Sequence, residues 1–165
     1  MTLAEAPVVE ISAACPAWEQ ALPEAAALAE TAAALALRRG EAPAAAIVDI
    51  TLTDDDEQRV LNRIWRGKDA PTNVLAFPAA DPTVPVPNGA PLLLGDVVLA
   101  FETVCREATE QEKPLADHLR HLVVHGVLHL LGHDHENAAE AAIMEAREIA
   151  ILAELGVPNP YRDTI

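Results

Sequence analysis

Hydrophobic and polar residues alternate in short runs through the first two-thirds of the chain, and hydrophobic residues recur with helical spacing in the last third. Alternation at every second residue is typical of half-buried strands. It occurs at residues 45–52 and predicts a strand there. Three further strands are predicted at the short runs 8–12 and 72–77 and at the largely apolar run 92–101, which is broken by Gly95 and Asp96. Residues 79–91 are rich in proline and include Asn88-Gly89, which predicts a hairpin connection or a mobile loop.

Apolar residues spaced by three and four predict helices at residues 18–39, 53–66, 102–110, 115–131 and 137–155. Gly40 and Gly67 follow the first two helices, as glycine commonly does at helix C-termini. Thr53 is the expected cap of the second helix, and Asn137 with Glu140 has capping-box spacing at the last one. Because strands come first and helices last, we expect an α+β fold rather than a doubly wound sheet, in a single domain over residues 1–165.

Composition and charge narrow the functional classes. The chain has 165 residues and a formal net charge of −15, which argues against a general nucleic-acid coat or a binder of anionic membranes. Two cysteines, Cys15 and Cys105, do not make a disulfide framework. No secretory signal and no membrane-spanning apolar run is visible, so we expect a cytoplasmic protein without a membrane partner.

All six histidines fall between His118 and His135. His125 and His129 are four residues apart on a predicted helix, so both rings can reach one metal ion. His121 is eight residues from His129, a rise of about 12 Å, which is too far for both to bind the same ion. We expect His121 to line a cleft or to bond to neighbouring backbone.

A third ligand must come from outside this helix. Gly132 can end the helix with a positive φ and turn the chain back, after which His133 or His135 can reach the metal. The H-x3-H-x2-G-x2-H spacing is that of the metzincin zinc peptidases and favours His135. Three neutral imidazoles and an open fourth position suit one catalytic Zn²⁺ per chain, although nickel also accepts imidazole ligands.

The residue after the first helical ligand argues against a peptidase. Zinc peptidases have a glutamate there that activates water, and this chain has Gly126. Phosphodiester cleavage depends more on positioning and on charge neutralisation, which zinc can supply by polarising a phosphoryl oxygen. Phosphodiester hydrolysis is therefore the first hypothesis, and a zinc peptidase of minimal metzincin type is the alternative.

Basic residues gather in one segment without an acid, at Arg59, Arg63, Arg66 and Lys68. The three arginines lie on one helical face, and the guanidinium fork suits phosphate oxygens. The turn at Gly67 can bring Arg66 towards the metal, where its charge would stabilise the transition state. The alternative is a solvated face that balances the acidic residues 54–57.

Residues 125–135 resemble the signature of the YbeY family, the bacterial endoribonucleases and rRNA maturation factors: His-Gly-Val-Leu-His-Leu-Leu-Gly-His-Asp-His follows H-G-x-L-H-L-x-G-[Y]-D-H. Further family blocks resemble residues 62–78, Leu94-Gly95-Asp96, and the segments 144–148 and 155–161. In this order the resemblance extends from about residue 51 to residue 161.

The resemblance implies an α+β domain with a four-stranded mixed sheet packed by helices, and an HxxxH metal-binding helix in its C-terminal third. It implies zinc bound by His125, His129 and His135, with Arg66 as a catalytic arginine in an RNA cleft. The implied function is a single-strand-specific, zinc-dependent endoribonuclease that matures the 3′ end of small-subunit rRNA and serves ribosome quality control. Its implied partners are rRNA and ribosome or small-subunit assembly factors. Further candidate RNA contacts are Arg59, Arg63 and Lys68.

Other residues of the family blocks have two interpretations each. His133 stands where the family usually has tyrosine, so it is a rival to His135 as ligand, and Ala76 stands where serine is common. Asp134 is either a turn residue or an acceptor that orients a ligand imidazole. Glu145 and Glu148 are expected to be charges on a helix surface, with a contact to a metal ligand as the alternative.

The sequence leaves open whether the protein is an enzyme and, if it is, which nucleophile it uses. A non-enzymatic protein, in which zinc only stabilises a ribosome assembly factor, is the alternative outside the enzyme class. For the enzyme, two nucleophiles stay open: a water molecule and the 2′-hydroxyl of the RNA.

Overall fold

The computed structural model of the protein describes residues 7–79 and 90–161. The strands are β1 (Val8–Ala13), β2 (Ala46–Thr53), β3 (Val74–Pro78) and β4 (Leu92–Ala100). The helices are α1 (Pro16–Ala21), α2 (Ala25–Arg39), α3 (Asp55–Arg66), α4 (Phe101–Glu110), α5 (Leu115–Leu130) and α6 (Ala138–Glu154). The predicted Asn88-Gly89 turn lies outside the described residues.

The four strands form one sheet in the order β1-β2-β4-β3. β1 and β2 are parallel, β2 and β4 are parallel, and β3 runs antiparallel to β4 at the edge of the sheet. The prediction of an α+β fold with a four-stranded mixed sheet is therefore confirmed.

The core lies between one face of the sheet and the helices α2 and α5. Val48, Ile50 and Leu52 of β2 are fully buried on this face, and the residues between them are half-buried on the other. α2 packs on β1 and α5 packs on β3 and β4, while the two helices contact each other. The buried side of α2 is mostly alanine, which lets α5 come close. The metal-binding candidates are thus carried by a helix fixed from two sides.

The predicted helix at residues 18–39 is wrong in one respect, because it consists of two helices. α1 ends at Ala21, and α2 begins at Ala25 after Pro23. Proline disfavours helical backbone in the residue before it, and Leu22 accordingly has φ −146° and ψ 88°.

The predicted start of the second helix is wrong by one residue. Thr53 is the last residue of β2, and its Oγ1 donates to Glu57 Oε2 at 2.9 Å. The cap of α3 is Asp54, whose Oδ1 accepts the backbone N–H of Glu57 at 2.8 Å. The carboxylate is the stronger acceptor for an unpaired helical N–H.

The predicted break at Gly95 and Asp96 is also wrong, since β4 runs through both residues to Ala100. The pairing register with β2 shifts between Ile47 and Val48, which is a β-bulge. Among the described residues, no helix combines the length and the apolar character needed to cross a bilayer.

Candidate metal centre

Two histidine rings project side by side from α5. His125 and His129 are half-buried, with ring centroids 6.1 Å apart. The opposite side of the helix carries Leu119, Val123 and Val127, which are fully buried in the core. The packing of these apolar residues therefore fixes the direction in which the two rings point.

The chain turns back after α5 and brings a third ring to the first two. Gly132 has φ +101°, a conformation that residues with a side chain rarely adopt. The ring of His135 then lies 5.6 Å from that of His125 and 5.7 Å from that of His129, measured between centroids. The three rings form a nearly equilateral triangle at the open side of the fold.

The hydrogen bonds of the two helical histidines leave one nitrogen of each ring free to bind a metal. His125 Nδ1 donates to Glu148 Oε1 at 2.5 Å, and His129 Nδ1 donates to the carbonyl oxygen of His133 at 2.7 Å. Both acceptors require a proton on Nδ1, so Nε2 carries the lone pair in each ring. This is the arrangement in which metal-binding histidines are oriented by carboxylates and carbonyls, and it fits a Zn²⁺ ion.

His133 and Asp134 take different places in the turn. His133 contributes its backbone carbonyl to His129, and burial, then the charge of Arg147, lowers the pKa of its ring. Asp134 Oδ1 accepts the backbone N–H of His135 at 2.7 Å. A carboxylate oxygen of Asp134 also lies within 4.8 Å of ligand atoms of His129 and His135. Asp134 therefore makes the hydrogen bond expected of a turn residue. Its role as an acceptor that orients a ligand imidazole stays a prediction.

Glu148 of α6 was expected to be a charge on the helix surface, but in the structure it lies at the centre of a buried hydrogen-bond network next to the three histidine rings. Its side chain is fully buried, and it accepts hydrogen bonds from His125 Nδ1, from His121 Nε2 at 3.1 Å and from the hydroxyl of Tyr161. Burial alone would raise the pKa of Glu148, but these bonds from His121, His125 and Tyr161 lower it from 4.5 to about 2. The carboxylate is ionised and acts only as an acceptor.

A sequence signal for this role exists. Glu148 lies four residues after Met144 and three before Ile151, and both of these are buried in the same stripe of α6. A carboxylate in an apolar helical stripe is rarely buried without a partner. The two histidine partners, however, are 23 and 27 residues away in sequence, and only the packing of α6 on α5 brings them to Glu148.

His121 belongs to the hydrogen-bond network of Glu148 but is not one of the three rings of the triangle. Its ring centroid is 6.4 Å from that of His125, and Nε2 is 3.3 Å from the hydroxyl oxygen of Tyr161. Burial and the bond to Glu148 raise the pKa of that tyrosine. Among the described residues, Nδ1 of His121 has no hydrogen-bond partner. The ring thus acts as a fixed wall beside the metal centre.

A cavity of about 280 Å³ opens onto the triangle, lined by Asn73, Val74, His121, Leu122, His125, His135 and Tyr161. Asn73 Nδ2 donates to Glu107 Oε1 at 2.9 Å, and the same oxygen accepts from His118 Nε2 at 2.9 Å. The start of β3 is therefore tied to α4 and α5 where it forms the wall of the cavity.

The basic segment contacts β3 through Arg66. α3 ends at Gly67, and Arg66 Nη2 donates to the carbonyl oxygen of Ala76 at 2.9 Å. The guanidinium carbon is 5.7 Å from the centroid of the Phe77 ring, a cation–π distance. Arg66 is thus held at the edge of β3, two residues along that strand from Val74 in the cavity wall.

The other basic residues of this segment have different surroundings. Arg59 forms an ion pair with Asp69 through two hydrogen bonds, of 2.8 and 3.1 Å. Asp69 is the first residue after the acid-free segment. Arg63 and Lys68 are exposed. The structure therefore leaves these two more accessible to a phosphate than Arg59.

Gly126 allows α5 to approach the sheet. A Cβ atom at this position would lie 2.7 Å from Cγ1 of Val97 in β4 and 3.5 Å from Cγ2 of Val74. The position faces the sheet, so even a glutamate here would be directed into the core. The peptidase alternative therefore loses its general base for a geometric reason as well.

Replacing Gly126 with alanine is expected to destabilise the protein by about 1–3 kcal/mol, because the stiff side chain of Val97 cannot move away freely. Urea unfolding followed by circular dichroism measures this. The double variant Gly126→Ala with Val97→Ala makes room for the new methyl group and should recover part of the loss. A single variant as stable as the original protein would contradict the close contact.

Known proteins resemble this chain along most of its length. The model of the family described as Endoribonuclease YbeY matches residues 15–156. Endoribonuclease YbeY of Paramagnetospirillum magneticum is 54% identical over 155 residues, which cover 93% of this chain and 94% of that protein. Endoribonuclease YbeY of a Bradyrhizobium strain is 49% identical over 159 residues, with 95% and 94% covered.

A solved structure with a more distant sequence also resembles this fold. It is the solution structure of a protein from Thermotoga maritima, with a TM-score of 0.54 and 22% identity, and it covers 94% of this chain and 99% of that one. It supports the fold alone.

Proposed function

The chain belongs to the YbeY family of endoribonucleases, and we propose that it is a single-strand-specific, zinc-dependent endoribonuclease with one zinc ion on His125, His129 and His135. The observation that carries the metal site is the triangle of three rings in which two Nδ1 atoms are already bonded to acceptors. The relatives named Endoribonuclease YbeY support the reaction class.

A bound zinc ion would supply a Lewis acid, which lowers the pKa of a water molecule or polarises a phosphoryl oxygen. The side chains of this protein do the rest. Glu148 and the carbonyl of His133 hold two imidazoles in the tautomer that binds a metal. Arg66 presents its guanidinium at the edge of β3, and its N–H groups suit the anionic oxygens of a phosphodiester.

We also propose the substrate, the partners and the cellular location of this protein. The substrate is rRNA near the 3′ end of the small subunit, and the partners are ribosome or small-subunit assembly factors in the cytoplasm, as the motif resemblance implies. The family match over residues 15–156 supports a single domain of this family across the chain. Arg63 and Lys68, both exposed, are additional RNA contacts, and Arg59 serves this role less well because Asp69 pairs with it.

The test compares two substrates on the zinc-loaded protein, a single-stranded RNA and a fluorogenic peptide. We expect cleavage of the RNA, loss of that cleavage with a chelator, and no cleavage of the peptide. Peptide cleavage would support the metzincin alternative. If neither substrate is cleaved while chelator-treated protein still restores ribosome assembly in depleted cells, the assembly-factor alternative is right.

Replacing Arg66 with alanine is expected to lower kcat on single-stranded RNA about 100-fold, which is typical for removing one donor to developing charge. Zinc content should not change, because the guanidinium is not a ligand. The matched control is Arg38→Ala, an exposed arginine at the end of α2. Unchanged cleavage by the Arg66 variant would remove this residue from the mechanism.

A further inference from the structure

A second and larger cavity, of about 550 Å³, lies beside the metal centre. Its walls come from the connection between α4 and α5, from the start of α5, and from the segment after α6. The wall residues that matter for its chemistry are Lys113, Pro114, Asp117, His121, Pro158 and Asn159, and we call it the proline cavity. Its volume lies within the range of about 300–1,000 Å³ that is common for small-ligand sites.

The proline cavity and the metal cavity share one wall. His121 lines both, and its ring centroid is 6.4 Å from that of the proposed ligand His125. On the other side, Pro160 lines the proline cavity and the next residue, Tyr161, lines the metal cavity. The two cavities are therefore neighbours, so an RNA chain with a phosphate at the metal centre can extend into the proline cavity.

The walls are rigid because hydrogen bonds and prolines hold them. Tyr161 donates to Glu148 through its hydroxyl and to Asn159 Oδ1 through its backbone N–H at 2.8 Å. Pro114 and Pro158 have a fixed φ, so the two segments facing each other lose little freedom when a ligand binds. Preformed walls that include proline and histidine rings suit a flat ring.

The charge in the cavity is unusual for this protein. Lys113 is one of only two lysines in a chain with a net charge of −15. It is half-buried, and burial lowers its pKa, while the carboxylates of Glu107 and Asp117 act in the opposite direction. A partly desolvated ammonium attracts a phosphate more strongly than an exposed one does.

The same cavity also has acceptors. Asp117 and Glu112 line it beside Lys113, and Asn159 adds an amide. Carboxylates and amides pair with the amino groups and ring nitrogens of bases, but carboxylates repel a ligand that is only a polyanion. The set as a whole fits a ligand with one phosphate and one base.

We propose that the proline cavity binds the nucleoside next to the scissile phosphate of a single-stranded RNA, with Lys113 on the adjoining phosphate and Asp117 and Asn159 at the edge of the base. This inference rests on the proposed endoribonuclease function and adds a substrate subsite to it. Unpaired bases can enter such a cavity, whereas bases stacked in a duplex cannot. The cavity thereby also gives a reason for single-strand specificity.

The test is Lys113→Met, which keeps the aliphatic side chain and removes the charge. On an RNA of about ten nucleotides we expect KM to rise about fivefold with kcat within twofold. The slope of log KM against log salt concentration should fall by about 0.7, the value for one phosphate contact in single-stranded nucleic acid. The loss in kcat/KM should be several times larger for this RNA than for a dinucleotide. Arg106→Met, an exposed cation on α4, is the matched control.

A second measurement is independent of cleavage. 5′-AMP and 5′-CMP, added to isotope-labelled protein, should shift the backbone NMR signals of Lys113 and Asn159 in the original protein and shift them less in Lys113→Met. An unchanged salt slope in the variant, or no shift of these signals, overturns the inference. Because the original protein is assayed beside the variant, failure of the proposed function itself is distinguishable as absence of RNA cleavage in both.

Discussion

Replacing His135 with alanine is expected to remove zinc from the protein and to abolish measurable RNA cleavage, while replacing His133 with alanine leaves both in place. The ring of His135 completes the triangle with His125 and His129. Changes that only disturb the orientation of a ligand already weaken metal binding by about 10–100-fold, so loss of a ligand should weaken it more. His133, in contrast, holds His129 through a backbone carbonyl that alanine also has.

Elemental analysis of the purified proteins measures this directly, as metal atoms per chain in the original protein and in the two variants. The same measurement identifies the metal as zinc or as another ion that accepts imidazoles. The ligand set proposed above is wrong if His133→Ala loses the metal and His135→Ala retains it. His133→Ala also serves as the matched control, since both residues lie in the same turn.

Replacing Glu148 with alanine is expected to destabilise the fold by about 3–5 kcal/mol, which is typical when one partner of a buried charged network is removed. The carboxylate is fully buried and accepts from His121, His125 and Tyr161, so these donors would lose their acceptor together. Zinc affinity should also fall by about 10–100-fold, because nothing then fixes the tautomer of His125. Thermal unfolding and zinc titration with a competing chelator measure the two effects.

Two variants separate the charge from the shape of Glu148. Glu148→Gln keeps the size of the side chain but offers one acceptor oxygen instead of two, so it should lie between the original protein and Glu148→Ala in both measurements. Glu145→Ala, one turn earlier on α6, should leave zinc affinity unchanged. If Glu148→Ala unfolds at the temperature of the original protein and binds zinc as tightly, Glu148 does not orient His125.

The periodicity of the sequence was sufficient for most of the fold. All four strands begin and end within two residues of their predicted bounds, and α5 ends one residue before its predicted limit. The errors lie where a local rule competes with another. Pro23 interrupts a pattern whose apolar spacing continues across it. A β-bulge at Leu94, which leaves Gly95 paired with Val48, lets β4 continue where the pattern predicts a break.

The candidate site, like the fold, was predicted only in part from the sequence. Helix geometry predicted that the rings of His125 and His129 lie side by side, and the glycine turn left His133 and His135 as candidates for the third ring. Only the motif spacing favoured His135, whose ring the structure brings to the other two. Glu148 and Tyr161 come from distant segments, and nothing in their local sequence states which histidines they contact. Their position depends on how α6 packs on α5, which periodicity alone does not determine.

The alanine side of α2 decides which changes the protein can accept during evolution or engineering. Methyl groups cannot rotate away from an added atom as longer side chains can, so a larger residue at buried positions such as Ala32, Ala33 or Ala36 would displace the elements packed on α2, α5 among them. That displacement would carry two of the three imidazoles with it. Libraries that seek new metal selectivity can therefore vary α2, a helix without any ligand, to shift the spacing of the donor atoms.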